Sequence, residues 1–148
     1  MSGPDFHDVT TCARAWQTLR MAHDRVAQRL GTELVRECAL AINEFDVLLY
    51  LRTHPNDVVR ISALLAAVPL SQPALSRLVA RLEARGLLAR SDIQDDARAT
   101  ALCLTPSGTA LIDQAIAIHA RAIHDALTGK LSDQEQTALL ELLSQIGQ

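Results

Sequence analysis

Three features of the sequence predict a mainly α fold with a small β-hairpin. Apolar residues fill 49% of the 148 positions while aromatics supply 3%, so a core must come from Leu, Ile, Val and Ala at helical spacing. Helix start and stop residues recur, with Ser71, Thr105 and Ser132 before helical patterns and Gly86 and Gly129 after them. Strand-like sequence is confined to the region between Leu87 and Leu104. The length suits a single unit over residues 1–148.

The first helix is predicted over residues 8–31. Val9, Cys12, Trp16, Leu19, His23, Val26 and Leu30 repeat at alternating steps of three and four, a narrow heptad seam suited to packing on another helix, and Gly31 reads as its end. Asn43 is the expected N-cap of a helix over Glu44–Arg52, closed by the turn His54-Pro55-Asn56-Asp57. A short helix over Ile61–Ala67 should bury Ile61, Leu64 and Leu65 before Pro69 stops it. Ser71 then caps a helix that tolerates Pro73 in its first turn, with Leu70 placed to staple onto Leu75 and Gly86 at the left-handed position beyond its end.

Leu87–Arg90 and Ala99–Leu104 read as two strands joined by a charged tip, SDIQDDAR. Thr105-Pro106 opens a long helix with a seam of Ile112, Ala115, His119, Ala122 and Ala126. Ser132 and Glu135 form a capping box for a last helix bearing Leu139, Leu140, Leu142, Leu143 and Ile146.

A net charge of −3 argues against coating nucleic acid by bulk electrostatics. The distribution of charge is more informative: residues 71–90 carry Arg77, Arg81, Arg85 and Arg90 against Glu83 alone. At about 100° per residue, Leu75, Leu78, Val79 and Leu82 share one face of the third short helix, and Pro73, Arg77, Ala80 and Ala84 point the other way with Ser76 and Arg81 at the flanks. Small residues let such a helix approach a major groove closely, and Arg forks then reach guanine edges or phosphates. Two short helices, a turn and this third helix form a helix-turn-helix, and the hairpin behind it makes the arrangement a winged helix-turn-helix.

At this point the chain resembles the multiple antibiotic resistance regulator (MarR) family, in LSQPALSRLVARLEARGLLARSDIQDDARATALCLTPSG. The wing pattern of that family matches Asp96, Arg98, Leu104, Thr105 and Gly108. The resemblance implies a winged helix-turn-helix lobe over residues 43–104 and dimerisation helices over 1–31 and 105–148. It also implies a homodimer on pseudo-palindromic double-stranded DNA and a repressor relieved by a small-molecule effector. The DNA-binding residues expected are Ser71, Gln72, Pro73, Ser76, Arg77, Arg81 and Arg90, with Arg98 on the wing at the minor groove and Asp96 bracing it. A hairpin-tip Arg is long enough to use the negative potential of a narrow groove, and a neighbouring carboxylate can fix its guanidinium.

The same resemblance places an effector crevice between the dimerisation helices and the DNA-binding lobe, with Trp16, His23, Asp46 and Arg52 as candidates. Each has a plainer reading. Trp16 suits core or dimer packing, His23 and His119 suit buried hydrogen-bonded histidines, and Asp46 with Arg52 suits a structural pair. Cys12, Cys38 and Cys103 match no metal spacing and read as reduced, buried small hydrophobes; a redox-responsive regulator using Cys12 is the alternative. A winged-helix module that binds an acidic protein is a second alternative. No catalytic set, cofactor motif or metal-ligand spacing stands out, so an enzyme is not expected. No apolar run spans a bilayer and the N-terminus lacks a signal-peptide pattern, so the expectation is a cytoplasmic protein without a membrane partner.

Overall fold

The computed structural model describes residues 6–93 and 96–146, with side chains described for 10–91 and 101–146. Six helices and a hairpin follow in the order α1 (Phe6–Cys38), α2 (Ile42–Thr53), α3 (Ile61–Ala67), α4 (Gln72–Ala84), β1 (Leu88–Ile93), β2 (Asp96–Leu104), α5 (Pro106–Thr128) and α6 (Asp133–Ile146). No single helix among the described residues is long and apolar enough to cross a membrane.

The first helix is longer than its seam suggests. Gly31 lies inside α1, where a Cβ would meet nothing within 4 Å, and the helix ends only at Cys38. Its stop is Ala39, at φ 52, with Leu40 N–H donating to Leu34 O at 3.3 Å across the turn. Glycine normally takes that left-handed position, so an alanine there leaves no stop signal in the sequence. Asn43 is not a cap: α2 begins at Ile42 behind Ala41, and Glu44 reaches back to accept from Ala41 N–H at 3.0 Å.

The other helix boundaries follow their signals. Ser71 Oγ accepts from Ala74 N–H, Thr105 Oγ1 from Gly108 N–H at 3.0 Å, and Ser132 Oγ from Glu135 N–H while Glu135 returns to Ser132 N–H at 2.8 Å. These bonds satisfy amides that the first turn of a helix leaves orphaned. The strands outrun their expected ends. The antiparallel ladder pairs Leu88 with Leu104 through Asp92 with Thr100, then shifts register so that Ile93 faces Asp96. Asp96 and Arg98 therefore sit on strand backbone rather than in a loop. Leu102 N–H also donates to Val59 O at 2.8 Å, tying the wing to the turn before α3.

One core joins Leu34 and Cys38 of α1 to Phe45, Val47, Leu48 and Leu51 of α2, Leu64 of α3, the α4 apolar face, Leu88, Leu102, and Ile112, Ala115 and Ile118 of α5. Ile61 and Leu65 are partly buried against it. The α5 seam is buried at Ile112, Ala115, Ala122 and Ala126 as expected, and differs at its centre, where Ile118 is buried and His119 only half-buried. Of the cysteines, only Cys38 is buried, and burial raises its thiol pKa; Cys12 and Cys103 are exposed, against the expectation of three buried thiols.

The tightest packing lies where α4, the wing and α5 meet. Gly86, at φ 70, turns the chain out of α4, and Thr105 Oγ1 donates to its carbonyl at 2.6 Å. A Cβ on Gly108 would stand 1.8 Å from Leu87 O, so α5 starts against the wing only because this residue has no side chain. Gly108→Ala should therefore cost about 3 kcal/mol or more, at or above the upper end of ordinary overpacking penalties. Gly31→Ala, in open helix, should stabilise by about 0.5–1 kcal/mol. Urea denaturation of both variants checks the contrast, and a mild Gly108→Ala would show that the joint can relax.

Candidate nucleic-acid interface

The helical wheel of α4 is realised in three dimensions. Leu75, Leu78, Val79 and Leu82 are buried, while Gln72, Pro73, Arg77, Ala80 and Ala84 are exposed on the opposite side. Ser71 is exposed at the cap and Ser76 is half-buried. The exposed strip is narrow and made of small side chains apart from Gln72 and Arg77, so a double helix could approach its backbone closely.

The four arginines of the basic stretch are not equivalent. Arg90 Nε binds Glu83 Oε2 at 3.0 Å. Arg85 Nη1 lies 3.3 Å from Glu44 Oε2, and Arg81 Nε lies 3.7 Å from Glu44 Oε1. Arg77 has no ion-pair partner among the described residues. The local charge of +3 read from residues 71–90 omits Glu44, a carboxylate distant in sequence that the fold brings to the end of α4. Arg77 is thus the cation most available on the outer face, and Arg81 and Arg90 are engaged elsewhere on the lobe. The expected wing residues Asp96 and Arg98 have side chains outside the described residues. Sequence reading passed over Arg60, exposed just before α3 beside the wing-tethering Val59.

The expected effector residues do not converge. Trp16 is 65% exposed on α1, and His23 is exposed there beside Asp24 rather than buried. Arg52 does not pair with Asp46: its Nε donates to Asp113 Oδ1 of α5 at 2.7 Å, and it lines a cavity of about 330 Å³ with Leu51, His54, Leu102 and Thr109. Asp46 lines a separate cavity of about 380 Å³ with Leu49, Tyr50, Thr53, Ala67 and Val68. Its electrostatic neighbour is His119, whose ring stacks on Phe45 at 4.7 Å between centroids. The i,i+6 spacing suggested an Asp46–Arg52 pair, but residues six apart on a helix point well away from each other and the partners come from α5.

Burial raises the Asp46 carboxyl pKa, and His119 counters this in part; burial lowers the His119 pKa below 6.5, and Asp46 counters that. Among the described residues, no three His, Cys, Asp or Glu side chains gather where they could hold a metal ion.

Comparison with known proteins finds transcriptional regulators. Residues 40–99, which hold α2 to α4 and most of the wing, match the model described as MarR family. The HTH-type transcriptional regulator PecS of Dickeya dadantii is 32% identical over 108 residues, covering 72% of this chain and 64% of that protein. A MarR family regulator from Streptomyces coelicolor, solved in complex with DNA, superposes with a TM-score of 0.78 at 24% identity, over 91% of this chain and 88% of that one. BpsR of Bordetella bronchiseptica, whose DNA binding is regulated by 6-hydroxynicotinic acid, superposes with a TM-score of 0.73 at 25% identity, over 91% and 99% of the two chains.

The partly buried Asp46 and His119, electrostatic neighbours, predict a pH dependence of stability. With its pKa lowered on folding, His119 contributes stability that is full above its unfolded value near 6.5 and is lost as pH falls below it. Asp46 acts in the opposite sense: with a raised pKa, its cost is present above the folded value and relieved on acidification. Around pH 6 the histidine governs, so wild-type stability should fall between pH 7.5 and 5.5, and His119→Gln should flatten that fall. Urea midpoints at the two pH values check this. An equal fall in the variant would locate the titration elsewhere.

Proposed function

The chain belongs to the MarR family of winged-helix transcriptional regulators, and from that membership we propose that it is a sequence-specific, dimeric, DNA-binding repressor relieved by a small molecule. The observation that carries the DNA-binding part is the outer face of α4, a strip of small residues around an exposed and unpaired Arg77. On this reading α4 enters the major groove with Ser71, Gln72, Pro73, Ser76 and Arg77 along the contact, and Arg98 on the wing reaches the minor groove, held by Asp96. Arg81 and Arg90 are left out of the contact because acidic partners already hold them.

Dimerisation is assigned to the terminal helices. In the single chain Trp16 and Met21 of α1, and Leu140, Leu142, Leu143 and Ile146 of α6, are exposed, a large apolar area for a chain with its own core. A two-fold dimer joined through α1, α5 and α6 would cover this surface and present two α4 helices to an inverted repeat. Regulation of BpsR by 6-hydroxynicotinic acid supports a small polar aromatic effector, and the cleft at Asp46 and Tyr50 is the site we propose for it. Repression and a cytoplasmic location are parts of the same proposal and rest on the family.

Two experiments test the reading. Selection from a random duplex library should return an inverted repeat with half-sites about one helical turn apart. On a panel of single-base variants of that site, Arg77→Ala should lose about 1–3 kcal/mol of discrimination at one position of each half-site. Arg98→Ala should weaken all sites alike. Equal loss across the panel for Arg77→Ala would move α4 out of the groove. Separately, Leu142→Glu with Trp16→Glu should give a monomer in sedimentation, and a double variant that stays dimeric would shift the interface off these helices.

A further inference from the structure

Glu44 is a buried charged residue in the described core, at 7% exposure. Its carboxylate does two tasks at once. Oε2 accepts from Ala41 N–H at 3.0 Å, the half of a capping box that the third helical residue supplies to the start of α2, and the same oxygen accepts from Arg85 Nη1 at 3.3 Å. Oε1 faces Arg81 Nε at 3.7 Å. Arg85 then extends Nη2 to Ala39 O at 3.0 Å, the carbonyl of the left-handed residue between α1 and α2. One carboxylate and one guanidinium therefore fasten the C-terminal end of α4 to the joint where α1 turns into α2.

We infer that Glu44 is a positioning residue for the recognition helix, holding Arg81 and Arg85 against the α1–α2 joint and away from the phosphate backbone, so that Arg77 alone of these three meets DNA. The inference rests on the DNA-binding reading above. Its physical basis is an asymmetry of burial: the side chains of Arg81 and Arg85 are 60% and 35% exposed, whereas that of Glu44 is 9% exposed. A phosphate that drew both arginines away would leave a buried carboxylate without a counter-charge, and removing one partner of a buried pair is far costlier than the pair is worth. Holding the two cations back lowers the number of phosphates that the lobe neutralises on any sequence. Affinity for non-specific DNA then falls, while contacts to base edges at Arg77 are kept.

The test uses the full chain, a labelled duplex carrying the selected site, and a random duplex of equal length, with anisotropy read over a salt series. Glu44→Gln keeps an oxygen for Ala41 N–H and removes the charge. The expected result is a random-duplex affinity about tenfold higher at low salt, with log K against log salt steeper by about one or more, since each further neutralised phosphate adds about 0.9 to the slope. The ratio of selected to random affinity should fall, and adding Arg81→Gln should return part of the slope. If both duplexes instead lose affinity in proportion at an unchanged slope, Glu44 is structural only and the inference is overturned.

Arg81→Gln alone, which leaves Glu44 its cap and Arg85, gives an independent reading if Glu44→Gln does not fold. It should keep the wild-type slope, and a slope shallower by about one would show Arg81 already on phosphate. A wild-type chain that bound neither duplex would defeat the DNA-binding reading rather than this one. Heparin resin then supplies the polyanion. Glu44→Gln should elute at higher salt than Glu141→Gln, which removes an exposed carboxylate of α6, and elution at the same salt would overturn the inference.

Discussion

The approach of Gly108 to the Leu87 carbonyl is the constraint on which the rest of the lobe depends. At this point the chain leaves α4, starts the wing and, after the hairpin, enters α5, so three elements share one joint. Gly86 makes the exit by its left-handed turn, Thr105 caps α5 and hydrogen-bonds back to Gly86 O, and Gly108 leaves the space that lets the two segments touch. The orientation of α4 relative to the wing is thereby set by backbone contact rather than by the packing of adaptable side chains. Backbone contact tolerates little drift, which the proposed reading requires, since on it α4 and the wing meet adjacent grooves in fixed register.

Charge on the lobe follows the same logic of fixed placement. Residues 71–90 read as a basic stretch, yet the fold returns Glu44 to Arg81 and Arg85 and sets Glu83 against Arg90. What remains on the outer face of α4 is one uncommitted guanidinium among small side chains. An acidic chain with a single well-placed cation per recognition helix depends less on counterion release and more on base-edge contacts than a strongly basic one would. On the proposed reading, the acidic net charge and a DNA-reading face of α4 are compatible for this reason.

Much of the fold was legible because helix ends are written in local chemistry. Ser71, Thr105, Ser132 and Gly86 each satisfy or close a helix by their own atoms, and each behaves in the structure as its residue type requires. The errors occur where another residue type took over the task. Ala39 holds a left-handed turn at a cost of about 1–2 kcal/mol that glycine would avoid, and α1 consequently ran past the glycine that looked like its end. Ala41 has no side-chain acceptor for the first-turn amides, so Asn43 looks the better cap in sequence, whereas Glu44 accepts from Ala41's own N–H, the return half of a capping box. Partners distant in sequence were the other blind spot. Nothing near Arg52 announces Asp113 and nothing near Arg85 announces Glu44, since such pairs exist only after α5 and α4 have packed. The outer face of α4 was readable because a helical wheel needs no tertiary information, whereas the effector candidates were not because a cleft is a property of several elements together.

The unbroken α1 changes how the two ends of the molecule can communicate. A helix of 33 residues is about 50 Å long at 1.5 Å per residue, and Gly31 does not interrupt it. Its N-terminal half carries the exposed Trp16 and Met21, while Leu34 and Cys38 near its other end lie in the core of the lobe. No hinge interrupts it in the described chain before the Ala39 joint. At that joint the Ala39 carbonyl is bound by Arg85, at the end of α4. What lies between the apolar surface of α1 and the C-terminal end of α4 is therefore one helix, one left-handed turn and one guanidinium. Because a left-handed alanine persists only when its surroundings hold it there, this turn is the place along the path where a small change in the seating of α1 would most readily be felt.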